Sequence, residues 1–289
     1  MRQNQTGLAM VIVIWVLSLM TIMAGSFALT MRREITVISS VKDNAVAIAA
    51  AETGITVAEQ MLLLADKEKR WHADGRIYQL HYQDTEIRVR VLSEQGKVDI
   101  NKAGEPLLTT IMTATSIDMA EQQALVSAIL DWRDKDDLVH INGAEEQQYE
   151  EAGLSYQPAN KAFNQLDELQ MVIGMTATVF NELQPLITVH SGLPNVNLKV
   201  ASKEVIQIVT GIGFENEKDF LQQDIETDSD KVQNLENNEV YSVISQVRLF
   251  GELTAGIKVM LKKTANGNQS KAFKVLNWQP IYQELSLFN

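Results

Sequence analysis

The sequence predicts an α+β fold: one long N-terminal helix packed on an antiparallel sheet, with a large all-helical domain inserted into that sheet. Three observations lead to this prediction. The chain lacks charged residues between Arg2 and Arg32. A helical pattern continues from there to about Ala65, and the strand-like segments form two groups far apart in the chain. The 289 residues, 45% of them hydrophobic, are enough to bury a core.

The first element is the apolar run from Leu8 to Met31. A helix needs about 20 mostly apolar residues to cross a bilayer, and this run is long enough. A cleaved secretory signal peptide is the alternative, with small residues at Ala24-Gly25-Ser26. The apolar region of such a peptide spans only about 7–15 residues, so the sequence favours a retained membrane anchor.

The helix is predicted to continue beyond the apolar run. Between Arg32 and Ala65 there is no proline, and the only glycine is Gly54. Apolar residues recur at three- and four-residue spacing, which predicts one helical face. These residues are Ile38, Val41, Ala45, Ile48, Ile55, Ala58 and Leu62. A helix from Leu8 to Ala65 would be about 85 Å long at 1.5 Å per residue.

The predicted strands alternate in polarity and are rich in β-branched and aromatic residues. An early hairpin is expected at residues 76–82 and 86–92, with a turn at Asp84-Thr85, followed by a short strand at 97–100. Later strands are expected at 240–250, 253–261 and 273–276, with a turn at 265–268. The simplest assembly is one sheet built from both groups and packed on the N-terminal helix.

The segment from Asn101 to about Leu235 has a helical pattern and contains an internal sequence repeat. One apolar helix follows Asp99-Ile100-Asn101-Lys102-Ala103, and another follows Asn197-Leu198-Lys199-Val200-Ala201 in the same register, with Lys199 at the place of Asn101. In each copy an Asx residue is expected to cap the helix start. The two copies resemble SAM-like or helix-hairpin-helix modules, with Thr210-Gly211-Ile212-Gly213 as a hairpin glycine motif.

One acidic segment is a candidate metal site. Its carboxylates are Asp131, Asp134, Asp136, Asp137, Glu145 and Glu146. Calcium prefers six to eight oxygen ligands from flexible loops, but this spacing does not fit the EF-hand template. A solvated acidic loop, with aspartates as turn formers, explains the charges equally well. The adjacent Trp132 is interpreted as a core anchor.

Composition excludes several classes of function. A net charge of −12 argues against a nucleic-acid partner, since phosphate binding needs clustered Lys and Arg. Without cysteine there is no disulfide, thiolate metal site, cysteine nucleophile or lipid-anchored cysteine. The histidines, His72, His81, His140 and His190, lack zinc-ligand spacing. Because no catalytic constellation is visible, the sequence predicts that the protein is not an enzyme.

The N-terminus resembles the type IV pilin class. The stretch MRQNQTG looks like a leader that ends at Gly7, with Leu8 as the first mature residue. In most of the class the fifth mature residue is glutamate, and here that position is Ile12. This departure resembles the K-class minor pseudopilins of type II secretion systems, which are GspK-like. Three further segments also resemble that family: residues 124–149, 166–175 and 183–189.

The resemblance implies roles for individual residues. A prepilin peptidase would cut after Gly7 and methylate the Leu8 amine. The usual glutamate pairs with the amine of the tip-side neighbour, so Ile12 implies a subunit that has no such neighbour. K-class proteins bind calcium in their helical insertion, which implies a structural calcium ion here. The first ligands expected are Asp134, Asp136 and Glu145, whereas Asp131 could face the helix surface.

The resemblance also implies a pilin-like domain organisation. The expected parts are a leader at 1–7, a transmembrane part at 8–31, a helix with first strands at 32–100, an inserted helical domain at 101–237 and completing strands at 238–289. The protein would cross the bacterial inner membrane once, with its N-terminus cytoplasmic and its body periplasmic.

In the function that the resemblance implies, the subunit initiates and caps the pseudopilus tip during export across the outer membrane. Its partners would be the I- and J-class minor pseudopilins, the prepilin peptidase, and secreted substrates or the outer-membrane secretin. Two alternatives remain: a membrane-tethered helix-hairpin-helix protein that binds DNA in competence, and a minor pilin of a type IV pilus. The first requires a basic hairpin face, which the sequence lacks.

Overall fold

The structure is a computed structural model and describes residues 6–82, 85–211, 239–249, 252–264, 272–281 and 287–288. The helices are α1 (Thr6–Leu62), α2 (Glu105–Met112), α3 (Met119–Arg133), α4 (Glu146–Glu151), α5 (Ala177–Leu183) and α6 (Lys203–Thr210). The strands are β1 (Asp74–Tyr82), β2 (Thr85–Ser93), β3 (Val98–Asp99), β4 (Ile187–Thr188), β5 (Val240–Leu249), β6 (Glu252–Lys263) and β7 (Phe273–Ile281).

The main sheet is built from both ends of the folded part, as the sequence predicts. Its five strands run in the order β1-β2-β5-β6-β7, and every neighbouring pair is antiparallel. The central pairing joins β2 to β5, with Val89 opposite Ser245. The α+β fold with a long N-terminal helix and an antiparallel sheet is therefore confirmed.

The prediction for residues 97–100 needs a correction, because this strand does not join the main sheet. Only Val98–Asp99 forms a strand, and it pairs in parallel with β4 in a separate two-stranded sheet. β4 has two residues, too few for a sequence period. The last strand is longer than expected and reaches Ile281. The expected turn at 265–268, Asp84 and the part of the helical segment after Gly211 lie outside the described residues.

Helix α1 packs on the inner face of the sheet through a stripe of small residues. Ala47, Ala51 and Ala58 are fully buried against β2, β5 and β6. Alternation along β2 places Ile87, Val89 and Val91 on this face. The small helical side chains let the helix backbone approach the sheet closely.

The predicted stripe on α1 is correct only in its C-terminal half. Ile55, Ala58 and Leu62 are buried, but Ile38 and Val41 are 67% and 66% exposed. The sheet begins to cover the helix only near Ala47. The N-terminal part of α1 is therefore apolar and uncovered within the described chain.

The chain between β2 and β5 forms a second hydrophobic core. Its centre contains Leu108, Ile111, Leu125, Ile129, Leu169 and Leu183. The expected Asx caps are wrong, because α2 begins after Gly104 and α6 after Ser202. Asn101 instead binds the backbone of Phe163 through both its amide oxygen and its amide nitrogen, so it joins two loops rather than starting a helix.

A buried ion pair lies where the second core meets the sheet. Glu94 is 1% exposed, and its Oε1 accepts from Lys97 Nζ at 2.6 Å and from Ser242 Oγ at 2.7 Å. Burial alone would raise the pKa of Glu94, but the charge and hydrogen bond of Lys97, with bonds from Thr188 and Ser242, lower it below its ordinary 4.5. Glu94 therefore ties β5 and β4 to the chain that leaves β2.

Gly54→Ala should destabilise the protein, because a Cβ at position 54 would lie 2.3 Å from Ser245 Oγ and 3.0 Å from methyl groups of Ile87 and Val89. The helix-propensity gain of about 1 kcal/mol is smaller than an overpacking cost of about 1–3 kcal/mol. Ser245 Oγ is buried and without a hydrogen bond, so adding Ser245→Ala should recover much of the loss. Thermal unfolding measures both. Gly25→Ala, which meets nothing within 4 Å, is the matched control, and equal effects at the two glycines would contradict this packing.

Glu94→Gln should lower the free energy of unfolding by about 3–5 kcal/mol near neutral pH, because it leaves buried Lys97 unpaired. In the wild type, the folded pKa lies below the unfolded value of 4.5. The carboxylate therefore contributes stability above pH 4.5, and this contribution is lost as the pH falls through the folded pKa. Denaturant unfolding between about pH 6 and pH 3 should show that this part of the pH dependence is missing in the variant. Glu94→Gln with Lys97→Met should recover most of the neutral-pH loss, and a wild-type pH profile in Glu94→Gln would refute the assignment.

Candidate cation site and membrane helix

The acidic segment begins at the end of α3 and folds back over that end. α3 starts with a capping box between Asp118 and Glu121, and it ends at Asp134, whose N–H bonds to the Leu130 carbonyl. The following loop leads to α4, where Glu145 is the N-cap residue. Carboxylates from the last helical turn and from the start of α4 are thereby brought to one place.

Asp131 lies at the centre of this place and is fully buried, so the expectation that it could face the helix surface is wrong. Its carboxylate accepts from the N–H of Ala144 at 2.7 Å and of His140 at 3.2 Å, and it also contacts His140 Nδ1. Gly143 makes this possible, because a Cβ there would lie 2.0 Å from Asp131 Oδ2. Helical periodicity could not reveal that the loop covers Asp131.

Within the described residues, Asp131, Asp134 and His140 form a group that could hold a metal ion. Each offers one ligand atom, and these atoms lie within 4.8 Å of one another. His140 Nδ1 is 3.9 Å from Asp134 Oδ2. His140 was not among the predicted ligands, although its position inside the acidic segment was an available signal.

The carboxylates of this site repel one another and are incompletely hydrogen-bonded. Asp134 Oδ1 and Glu145 Oε1 are buried and have no hydrogen-bond partner. Burial, followed by the charges of Asp131 and Asp134, raises the pKa of Glu145 to about 7. The hydrogen bond to Asp131 is the main reason that the pKa of His140 is raised. Unpartnered carboxylate oxygens that repel one another fit a hard cation such as calcium.

The other predicted ligands lie outside this group. Asp136 and Asp137 are exposed and accept hydrogen bonds from the Leu138 N–H and the Asn160 side-chain amide, respectively. Glu146 is exposed in the first turn of α4. Trp132, in contrast, is 2% exposed and packs on Phe163 with ring centroids 5.9 Å apart. Its interpretation as a core anchor is confirmed.

Helix α1 is the one helix of the described chain that is long and apolar enough to cross a membrane. Its apolar part has a mean hydropathy of 2.2, and Ile12 on it is 56% exposed. The hydroxyls of Ser18 and Thr21 bond back to carbonyls four residues earlier, so these polar groups are satisfied without water. Gly7 is in the first turn of the helix.

The comparisons with known proteins agree with one another. The family described as "Type II secretion system (T2SS), protein K" matches residues 87–192. Type II secretion system protein K of Klebsiella pneumoniae is 22% identical over 208 residues, covering 65% of this chain and 63% of that protein. Protein K of Dickeya chrysanthemi is 29% identical over 79 residues, covering 27% of this chain and 21% of that protein. The chain thus spans about three-fifths of the first relative and about one-fifth of the second.

The fold comparison covers more of the chain. One chain of the GspK-GspI-GspJ complex from enterotoxigenic Escherichia coli matches with a TM-score of 0.51 at 15% identity, over 87% of this chain and 99% of that chain. This likeness is one of overall fold. The comparisons do not favour the DNA-binding or type IV pilus alternatives.

The matched segment contains the acidic segment that was singled out from the sequence. Residues 87–192 include most of β2, the acidic site and the β3–β4 pair. Proteins of this family are structural parts of the secretion system rather than enzymes. Residues 87–192 match the protein K family of the type II secretion system, and the chain as a whole is similar in sequence and fold to GspK-like pseudopilins.

Proposed function

We propose that this protein initiates and caps the tip of the periplasmic pseudopilus during export across the outer membrane. The observation that supports this most directly is the combination of an uncovered apolar helix with a broad helical domain. The N-terminal part of α1 exposes Val37, Ile38 and Val41, and exposed apolar helix surface is suited to packing against other helices. The helical part makes the body wider than one built from a helix and a sheet alone. This added width favours a position at the end of the filament.

The proposed partners are the I- and J-class minor pseudopilins, as in the complex that gave the fold match. In the proposed topology, α1 crosses the inner membrane with the N-terminus in the cytoplasm and the body in the periplasm. A prepilin peptidase cuts after Gly7 and methylates Leu8. Ile12 replaces the glutamate that would pair with a tip-side neighbour, because a capping subunit has none. Secreted substrates or the secretin would meet the exposed body.

We also propose that a structural calcium ion binds at the end of α3. Asp131, Asp134 and Glu145 would supply oxygen ligands, with His140 at the border of the site. Asp136, Asp137 and Glu146 would add negative charge from the surrounding loop. The two unpartnered buried oxygens, on Asp134 and Glu145, support this proposal. A bound cation would favour the ionised form of Glu145 and hold the loop against α3.

Replacing both Ile38 and Val41 with Glu should reduce assembly with the I- and J-class proteins at least tenfold, because charges would replace exposed apolar contacts. The measurement is co-purification in detergent after co-expression with these partners and a prepilin peptidase. Thr36→Glu adds one charge on an exposed polar position of the same helix and should retain more complex. In the same preparation the N-terminal peptide should begin at Leu8 and carry one extra methyl group. Unchanged assembly by the double variant, or a peptide beginning at Met1, would contradict the proposal.

Calcium should raise the melting temperature by about 5–10 °C at 100 times its Kd, since ligand binding to the folded state alone contributes about 2.7 kcal/mol at that ratio. Asp134→Asn should abolish this shift. In EDTA, the same variant should be no less stable than the wild type, because it removes repulsion. Asp167→Asn, an exposed carboxylate away from the site, should keep the full shift. The calcium proposal fails if wild-type protein melts at the same temperature in calcium and in EDTA.

A further inference from the structure

A cleft of about 640 Å³ lies between the β1–β2 edge of the sheet and helix α6. It opens on the face of the sheet opposite α1, because Arg90 and Leu92 alternate along β2 with Val89 and Val91, which face the helix. The far wall is the chain that leads into α6, including Lys199 and Ser202. This volume is in the range of sites that take a small ligand or a short peptide segment.

The lining of the cleft is more basic than the rest of the chain. Four cationic side chains line it, and the only carboxylates among its lining residues are Asp74 and Glu204. The four cations are Arg76, Arg90, Lys199 and Lys203. The whole chain has a net charge of −12, so this excess of positive charge reverses the general field locally. A cleft whose net charge has one sign concentrates ligands of the opposite sign.

Arg90 is a cation of this cleft that has no anionic partner among the described residues. Its Nε is buried and makes no hydrogen bond, and it forms no ion pair with any residue that the structure describes. Its partners across the sheet are Ile77 on β1 and Ile244 on β5. Their side chains are apolar and cannot accept a hydrogen bond from the Arg90 guanidinium. Arg76, in contrast, is paired with Asp74 at 2.5 Å.

An unpaired guanidinium at the wall of a cleft is suited to a carboxylate. Arginine presents a planar fork of donors that matches the two oxygens of a carboxylate, and such charge-assisted bonds are the strong ones. Leaving a buried donor without an acceptor costs free energy, and an incoming carboxylate removes that cost. Helix α6, whose start is capped by Ser202, adds the positive end of its dipole to the same cleft.

Most of the remaining lining is apolar, which points to a peptide rather than a simple anion. Leu92, Leu198 and Ile206 contribute to the cleft beside the charged side chains. A small inorganic ion would leave this apolar surface exposed to water. An extended segment with an acidic residue next to an apolar one would cover it, because successive side chains point to opposite sides and can meet different walls.

We propose that this cleft binds an acidic, partly apolar peptide segment of a partner protein, with a carboxylate of that segment paired to Arg90. The Arg90 guanidinium donates to the carboxylate, Lys199 contributes charge at the rim, and a neighbouring apolar side chain lies on Leu92 and Leu198. The proposal concerns the cleft alone and does not depend on the place of the chain in a pseudopilus.

The test is fluorescence anisotropy with the full chain in nanodiscs of neutral lipid. The probe is a labelled peptide that alternates Glu or Asp with Leu. Arg90→Gln should weaken binding about tenfold or more, as expected for the loss of a charge-assisted pair. Lys199→Gln at the exposed rim should weaken it about two- to threefold by reduced attraction. Lys102→Gln, which removes an exposed cation that does not line the cleft, should bind as the wild type does.

Two controls make the result specific. The same peptide with Gln and Asn in place of Glu and Asp should bind about tenfold more weakly, and added salt should weaken the acidic peptide. Free glutarate should compete poorly, because it cannot cover the apolar lining. Equal binding by wild type and Arg90→Gln would overturn the proposal, as would equal affinity for glutarate and the peptide. If Arg90→Gln fails to fold, Lys199→Gln and the neutral peptide decide the matter.

Discussion

The packing of α1 on the centre of the sheet is the contact on which the rest of the structure depends. β2 and β5 are far apart in the sequence, and they are neighbours in the middle of the sheet. The alanines at 47, 51 and 58 bring the helix close to both strands. Gly54 allows the closest approach, directly over Ser245. One small-residue face therefore holds together two parts of the chain that are separated in the sequence by the second hydrophobic core.

The second hydrophobic core is attached to this sheet at a few specific points. Gly96 packs so close to the chain at Val200 that a Cβ would lie 2.4 Å from the carbonyl oxygen. The β3–β4 pair and the Glu94–Lys97 ion pair lie beside it. These contacts fix the orientation of α6 against β2, and so they determine the shape of the basic cleft. The acidic site lies elsewhere, at the end of α3, and the two charged regions of the body are formed by different elements.

The sequence was sufficient for the parts of the fold that repeat a period. Apolar residues recur with a regular period over many residues in the long helix, in the hairpin of β1 and β2 and in the late strands, because one face of each element is buried. Strands β3 and β4 have two residues each, which is too short for a periodic pattern. The burial of Asp131 depends on a loop that returns over it, and the role of His140 depends on the same loop. Such features arise from the path of the backbone, which residue types alone do not specify.

Helix α1 is continuous from Thr6 to Leu62, and no break separates its apolar part from the part that packs on the sheet. At 1.5 Å per residue, its 57 residues extend about 85 Å. A continuous α-helix resists compression along its axis, because every turn is braced by the hydrogen bonds of the next. A displacement of the apolar end along the helix axis is therefore transmitted to the sheet, and the sheet moves together with the helix.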